Sequence, residues 1–135
     1  MNYYSLKSYF QTLCDNYSQQ FTEGDIYQVN YSTNSYPAMN LSLSELVQTD
    51  ENSETYVVTL FYIDLLNRDR SNKVNIQSDG LEVLKSIVNS FVESNSYIVT
   101  LPVSYKIFTE RFTDETAGAY VTLRIKTLQD CITEN

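Results

Sequence analysis

The stretch from Glu54 to Leu66 constrains the fold more than any other part of the chain. Read as a strand, it is apolar on both sides. Tyr56, Val58, Leu60 and Tyr62 share one parity, and Val57, Phe61, Ile63 and Leu65 share the other. Successive residues of a strand face opposite sides of a sheet. A strand with two apolar faces is therefore central in its sheet or covered on both sides. The rest of the chain has to supply neighbouring strands and a covering layer.

The covering layer is legible as two helices. Leu6, Phe10, Leu13, Cys14, Tyr17 and Phe21 recur at the spacing of one helical face, which predicts a helix from about Tyr3 to Gln19, stopping before Gly24. Leu81, Leu84, Ile87, Val88, Phe91 and Val92 form a second stripe. Asp79 and Glu82 stand at capping-box spacing and predict its start, after a polar, irregular stretch from Asn67 to Ser78. It is expected to stop near Ser94, Asn95 and Ser96.

The remaining segments read as strands. Tyr27, Val29 and Tyr31 alternate with polar residues, as do Met39, Leu41 and Leu43. A turn over 32–37 separates them, and Gln48 to Glu54 reads as a polar loop. Tyr97 to Phe112 reads as one or two strands with Val99, Leu101, Val103, Tyr105 and Ile107 on one face. Pro102 inside it predicts an edge position or a bulge, because proline donates nothing to a ladder. After a turn from Thr113 to Gly118, a last strand puts Ala119, Val121, Leu123 and Ile125 inward, against Tyr120, Thr122, Arg124 and Lys126.

The order is helix, three strands, helix, two or three strands, with no linker and no internal repeat. It predicts a single α+β domain over residues 1–135. The expected architecture is a mainly antiparallel sheet of five to six strands with two helices on one face. Hydrophobic residues make up 42% of the 135 positions, enough for a core without metal or disulfide support.

Charge is distributed unevenly. Up to Asn67, eight acids (Asp15, Glu23, Asp25, Glu45, Asp50, Glu51, Glu54 and Asp64) meet the single base Lys7. From Arg68 onward nine acids meet eight bases, and the chain carries −8 in all. Tight nucleic-acid binding needs clustered cations to displace counterions from phosphate, and the first half has none. Such a surface suits DNA that slides past, or it serves solubility alone.

Little in the sequence carries chemistry. Histidine is absent, which removes Ser-His-Asp and Cys-His activation and imidazole ligands. Cys14 and Cys131 are far apart with no CxxC, which reads as two reduced thiols and not a metal site, with a disulfide between them the alternative that no spacing supports. Gly24, Gly80 and Gly118 are isolated, so no phosphate loop is formed. The acids of Gln48 to Glu54 lack the Gly and the terminal Glu of a calcium loop. Asp64 with Asp69 is the best carboxylate pair for acid–base work, but Arg68 and Arg70 beside them favour a structural ion-pair cluster. No catalytic residue, cofactor or metal is expected. Met1 to Lys7 lacks the basic start and apolar run of a secretory signal, and no stretch is long enough to span a bilayer. Of the twelve tyrosines, most are expected simply to serve strands, which favour tyrosine.

The most informative segment runs from Phe61 to Gly80. A buried strand ends at Asp64 and enters a loop in which Arg68, Asp69, Arg70, Ser71, Asn72 and Lys73 mix both signs of charge. Such a loop suits a contact between subunits, and a plain connection equally well. The pattern Tyr62-x-Asp64, then Asp69, Ser71-Asn72 and Gln77-Ser78, resembles tail-terminator or tail-completion proteins of tailed phages that infect Bacteroidetes, the crAss-like phages among them. The element order looks like theirs as well. One departure is plain: Gly118 is followed by Ala119 and Tyr120, where that family often has Gly and Trp, and this chain contains no Trp.

The resemblance implies a virion protein at the head–tail junction, assembled in the bacterial cytoplasm. It implies a homo-oligomeric ring of six or twelve copies that touches neighbouring portal, neck or tail proteins. DNA would pass through the ring without specific binding, and no membrane is involved. The competing expectation is a monomeric acidic adaptor or inhibitor that binds one protein through its Tyr-rich strands.

Overall fold

A computed structural model describes residues 2–24, 36–50, 53–109 and 116–127. Helix α1 spans Tyr3–Cys14 and helix α2 spans Lys73–Val92. The strands are β1 (Gln20–Glu23), β2 (Ala38–Asp50), β3 (Ser53–Leu65), β4 (Tyr97–Val99), β5 (Tyr105–Thr109) and β6 (Thr116–Thr127). They form one six-stranded sheet in the order β1-β2-β3-β6-β4, with β5 also on β6. The fold is α+β and the sheet is mixed but mostly antiparallel, since among the described residues only β1 on β2 runs parallel.

Strand β3 is central, as its two apolar faces require. Tyr56, Val58, Leu60 and Tyr62 join the main core, beneath Leu6, Phe10 and Cys14 of α1 and Leu84, Ile87, Val88 and Phe91 of α2. Both helices therefore cover one face. On the other face Phe61 and Ile63 pack with Ala38 and Phe108, flanked by Tyr36 and Tyr120. Strand β6 beside it alternates as expected: Ala119, Val121, Leu123 and Ile125 are fully buried beneath the helices.

Tyrosines are used heavily here. Phe91 sits 4.5 Å from Phe10, 4.8 Å from Tyr9 and 5.2 Å from Tyr97, ring centre to ring centre. Tyr3, Tyr56 and Tyr62 join the same core. Aromatic pairs in such tilted and edge-on contacts add stability beyond area burial.

Several expectations need correction. Helix α1 stops at Cys14, not near Gln19, because Asp15 to Tyr17 turn the chain and the Ser18 hydroxyl donates to the Cys14 carbonyl at 3.0 Å. Phe21 then belongs to a strand, β1, whose parallel pairing to β2 no local pattern announces. Helix α2 begins at Lys73, two turns early. Buried Ile76 and Gly80 extend its apolar stripe backwards, so Asp79 lies inside the helix and caps nothing. The polar loop expected from Gln48 to Glu54 is shorter than read: Gln48 pairs with Glu54 and Asp50 with Ser53 in the β2–β3 ladder.

The edge strand behaves as Pro102 suggested. Residues 100–104 stand opposite residues 122–124, so two extra residues bulge out between β4 and β5. Two extra residues keep the alternation: Val99, Tyr105 and Ile107 pair with Ile125, Val121 and Ala119 on the helix face, as predicted. Leu101 and Ile107 remain exposed at the rim, and Phe108 is buried on the opposite face. The expected strand at Tyr27 to Tyr31, residues 113–115 of the expected turn before β6, and Cys131 lie outside the described residues, while Thr116 to Gly118, expected in that turn, already belong to β6. Among the described residues no helix is long and apolar enough to cross a membrane.

Candidate functional site

The loop between β3 and α2 holds the residues that sequence singled out, and its geometry is organised around Asn72. The Asn72 amide oxygen accepts from the Asn67 N–H at 2.8 Å, while its Nδ2 donates to the Leu65 carbonyl at 3.1 Å. Asn67 Nδ2 donates to Ser71 Oγ at 3.1 Å, and the Ser71 N–H donates to Asp69 at 3.0 Å. Arg70 takes the left-handed backbone, φ 61°, that lets the chain double back. Its N–H donates to the Asn67 carbonyl.

The loop is thus a self-bonded turn that launches α2. Arg68, Asp69, Ser71 and Lys73 are exposed, and Arg70 and Asn72 are half-buried. The Ser71 N–H and hydroxyl hold the Asp69 carboxyl below the usual range. Polar atoms of Asp69, Ser71 and Asn72 are engaged inside the loop, which leaves Arg68 and Lys73 as its outward cations.

Asp64 and Asp69 do not act as a pair. Burial raises the Asp64 carboxyl, the Leu65 N–H partly counters this, and Asp79 of α2 raises it further. Burial also pushes the Tyr62 hydroxyl up to about 12, helped by Asp64 and Asp79. The carboxylate that Asp64 feels is therefore on the helix, because α2 starts early enough to bring Asp79 over the end of β3. Cys14 is fully buried, and its thiol is pushed up to about 12 by desolvation and then by Asp15. A thiol held protonated is a poor nucleophile. No group of three or more metal-ligating side chains occurs among the described residues.

The two rims of the sheet are features that sequence reasoning missed. Strand β1 covers β2 only from Ala38 to Leu41. Beyond that, β2 is the sheet's outer strand among the described residues, with Ser44, Glu45 and Leu46 exposed, Leu46 to 49%. The opposite rim is β4 and β5, where Ile98 (48%), Leu101 (64%) and Ile107 (53%) are exposed. Beside β4, the end of α2 leaves a hollow of about 390 Å³ lined by Val92, Ser94, Asn95, Tyr97, Ile98 and Val99. The basic side chains Lys106 and Arg124 are exposed near this rim, with Lys126 half-exposed. In sequence the only signals were Leu46 falling out of alternation after Leu43 and the proline that breaks the edge strand.

No protein-family model matches the sequence. No curated protein matches it either.

Proposed function

We propose that the chain is a structural subunit that works by standing side by side with copies of itself, as a ring around the DNA channel in the neck of a tailed phage. The observation that carries this reading is the state of the sheet rims. Natural sheets blunt their edges with charge, proline or cover, and isolated apolar side chains on a surface are ordinary. Here Val92, Ile98, Leu101 and Ile107 gather along one rim, and Leu46 lies on the other.

A closed ring needs two different patches on each subunit, one meeting the other on the next copy. Two unlike rims supply that requirement. The resemblance of the Tyr62 to Ser78 segment and of the element order to terminator proteins supplies the phage setting. In that setting some acids of the first half of the chain would turn towards the lumen and repel the passing DNA. Arg68 and Lys73 would meet a neighbouring ring or a portal or tail protein.

Sedimentation velocity and negative-stain imaging of the purified protein across a concentration series test the reading. The expected result is a closed species of six or twelve copies. A monomer at every concentration, alone and mixed with portal and neck proteins, would overturn it in favour of a one-to-one adaptor.

A further inference from the structure

The fold separates the charges of the chain in space. Residues up to Leu65 build α1, β1, β2 and β3, and Lys7 is their only base. Later residues build α2, β4, β5 and β6, and among the described residues β3–β6 is the only strand seam between the two groups. One rim is therefore made from the acidic part of the chain, while Lys106, Arg124 and Lys126 collect near the other.

The ladder registers put the rim features at one height. Glu45 pairs with Val57, and Val57 with Arg124. Val47 pairs with Thr55, Thr55 with Lys126, and Lys126 with Ile98. The faces match as well. Val57 alternates with the core residues Tyr56 and Val58, so Glu45, Arg124 and Lys126 lie on the face away from the helices. Leu46 pairs with Tyr56 and so lies on the helix face. The hollow at the end of α2 is lined by Val92 and by Tyr97 and Val99, whose side chains belong to the helix-side core.

Resting on the self-assembly reading, we infer that the β4 rim receives the β2 rim of a second copy. Leu46 seats at the hollow beside Val92 and Tyr97, and Glu45 meets Arg124 and Lys126 on the opposite face. The strand directions agree with this. The β2–β3, β3–β6 and β6–β4 pairs are all antiparallel, so β4 of one copy and β2 of the next also run antiparallel. A rotation that repeats this join keeps every helix layer on the same side, as a ring demands. A two-fold join of like rims would instead set Arg124 and Lys126 against their own copies, and like charges repel. Because β1 reaches one strand further out than the open part of β2, the join there is made by side chains and not by a continuous ladder.

Charge reversal with rescue tests the assignment. Glu45→Lys makes both rims basic, and Arg124→Glu with Lys126→Glu makes both acidic. Each variant alone is expected to raise the dissociation constant by about tenfold or more. An equimolar mixture should reassemble, because each variant offers the rim that complements the other. Leu46→Ser, an exposed position, should weaken assembly with the unfolding midpoint unchanged, and added salt should weaken the wild type. Wild-type rings that survive every one of these changes would overturn the rim assignment and leave the ring reading standing. A wild-type protein that stays monomeric would remove both.

Discussion

Gly118 on β6 passes so close to Tyr62 on β3 that a Cβ at position 118 would collide with the Tyr62 carbonyl oxygen and stand 3.0 Å from the Phe108 ring. The neighbour is backbone in the middle of the sheet, so it cannot swing away. Gly118→Ala is expected to cost about 3 kcal/mol or more, at the upper end of overpacking changes. At Gly80 the nearest atoms are Tyr62 Cδ1 at 3.0 Å and the Ala119 Cβ at 3.2 Å, and alanine gains about 1 kcal/mol of helix propensity. Urea unfolding should show Gly80→Ala far milder than Gly118→Ala.

The ring of Phe91 is completely buried and touches Tyr9, Phe10 and Tyr97. Phe91→Ala opens a cavity among groups fixed by two helices and a strand, which cannot all collapse inward. A loss of about 3–5 kcal/mol is expected in denaturant titration.

Cys14 gives a pH signature. Its thiol ionises near 9 when unfolded and is pushed up to about 12 when folded, so the native state holds the proton longer. The native state's advantage is complete below pH 9 and is lost as pH rises from 9 to 12. In a Cys131→Ser background, Cys14→Ala should flatten this part of the stability curve. A thiol reagent should label Cys14 only as fast as the protein opens.

Asp64 is raised by burial and by Asp79, so holding its charge at neutral pH weakens the fold. Asp64→Asn keeps an acceptor for the Leu65 N–H and removes the charge. A higher thermal midpoint is expected at pH 7, with the difference shrinking as the pH falls through the ordinary carboxyl range and the native and unfolded states both take up the proton.

Within the β3–α2 loop, structure and contact separate. Asn72→Ala removes the bonds to Asn67 and Leu65 and should cost about 1–2 kcal/mol, less where water replaces them. Arg68→Ala and Lys73→Ala, at exposed positions, should change stability by less than about 0.5 kcal/mol. An effect of these two on binding to purified portal or neck proteins, at unchanged stability, would mark them as contact residues.

What the sequence determined by itself was whatever repeats at a fixed period. The two-faced strand β3, the inward set of β6, the stripe of α2 from Leu84 to Phe91 and the first turns of α1 are all local patterns. Each states which side of an element must leave water. That was enough for two helices over one face of a mostly antiparallel sheet. It also placed the edge at Pro102, because a missing donor is a property of one residue.

Tertiary structure decided everything that depends on a distant partner. Gln20 to Glu23 is a strand only because β2 offers it a parallel edge, and helix α2 begins at Lys73 because Ile76 and Gly80 find β3 and β6 beneath them. Asp64 meets Asp79 and not its sequence neighbour Asp69, since the early helix turn lies over the strand end while Asp69 is folded back on Ser71. The rims are the clearest case. Glu45 and Arg124 are seventy-nine positions apart, and only the ladder through Val57 sets them at one height on one face.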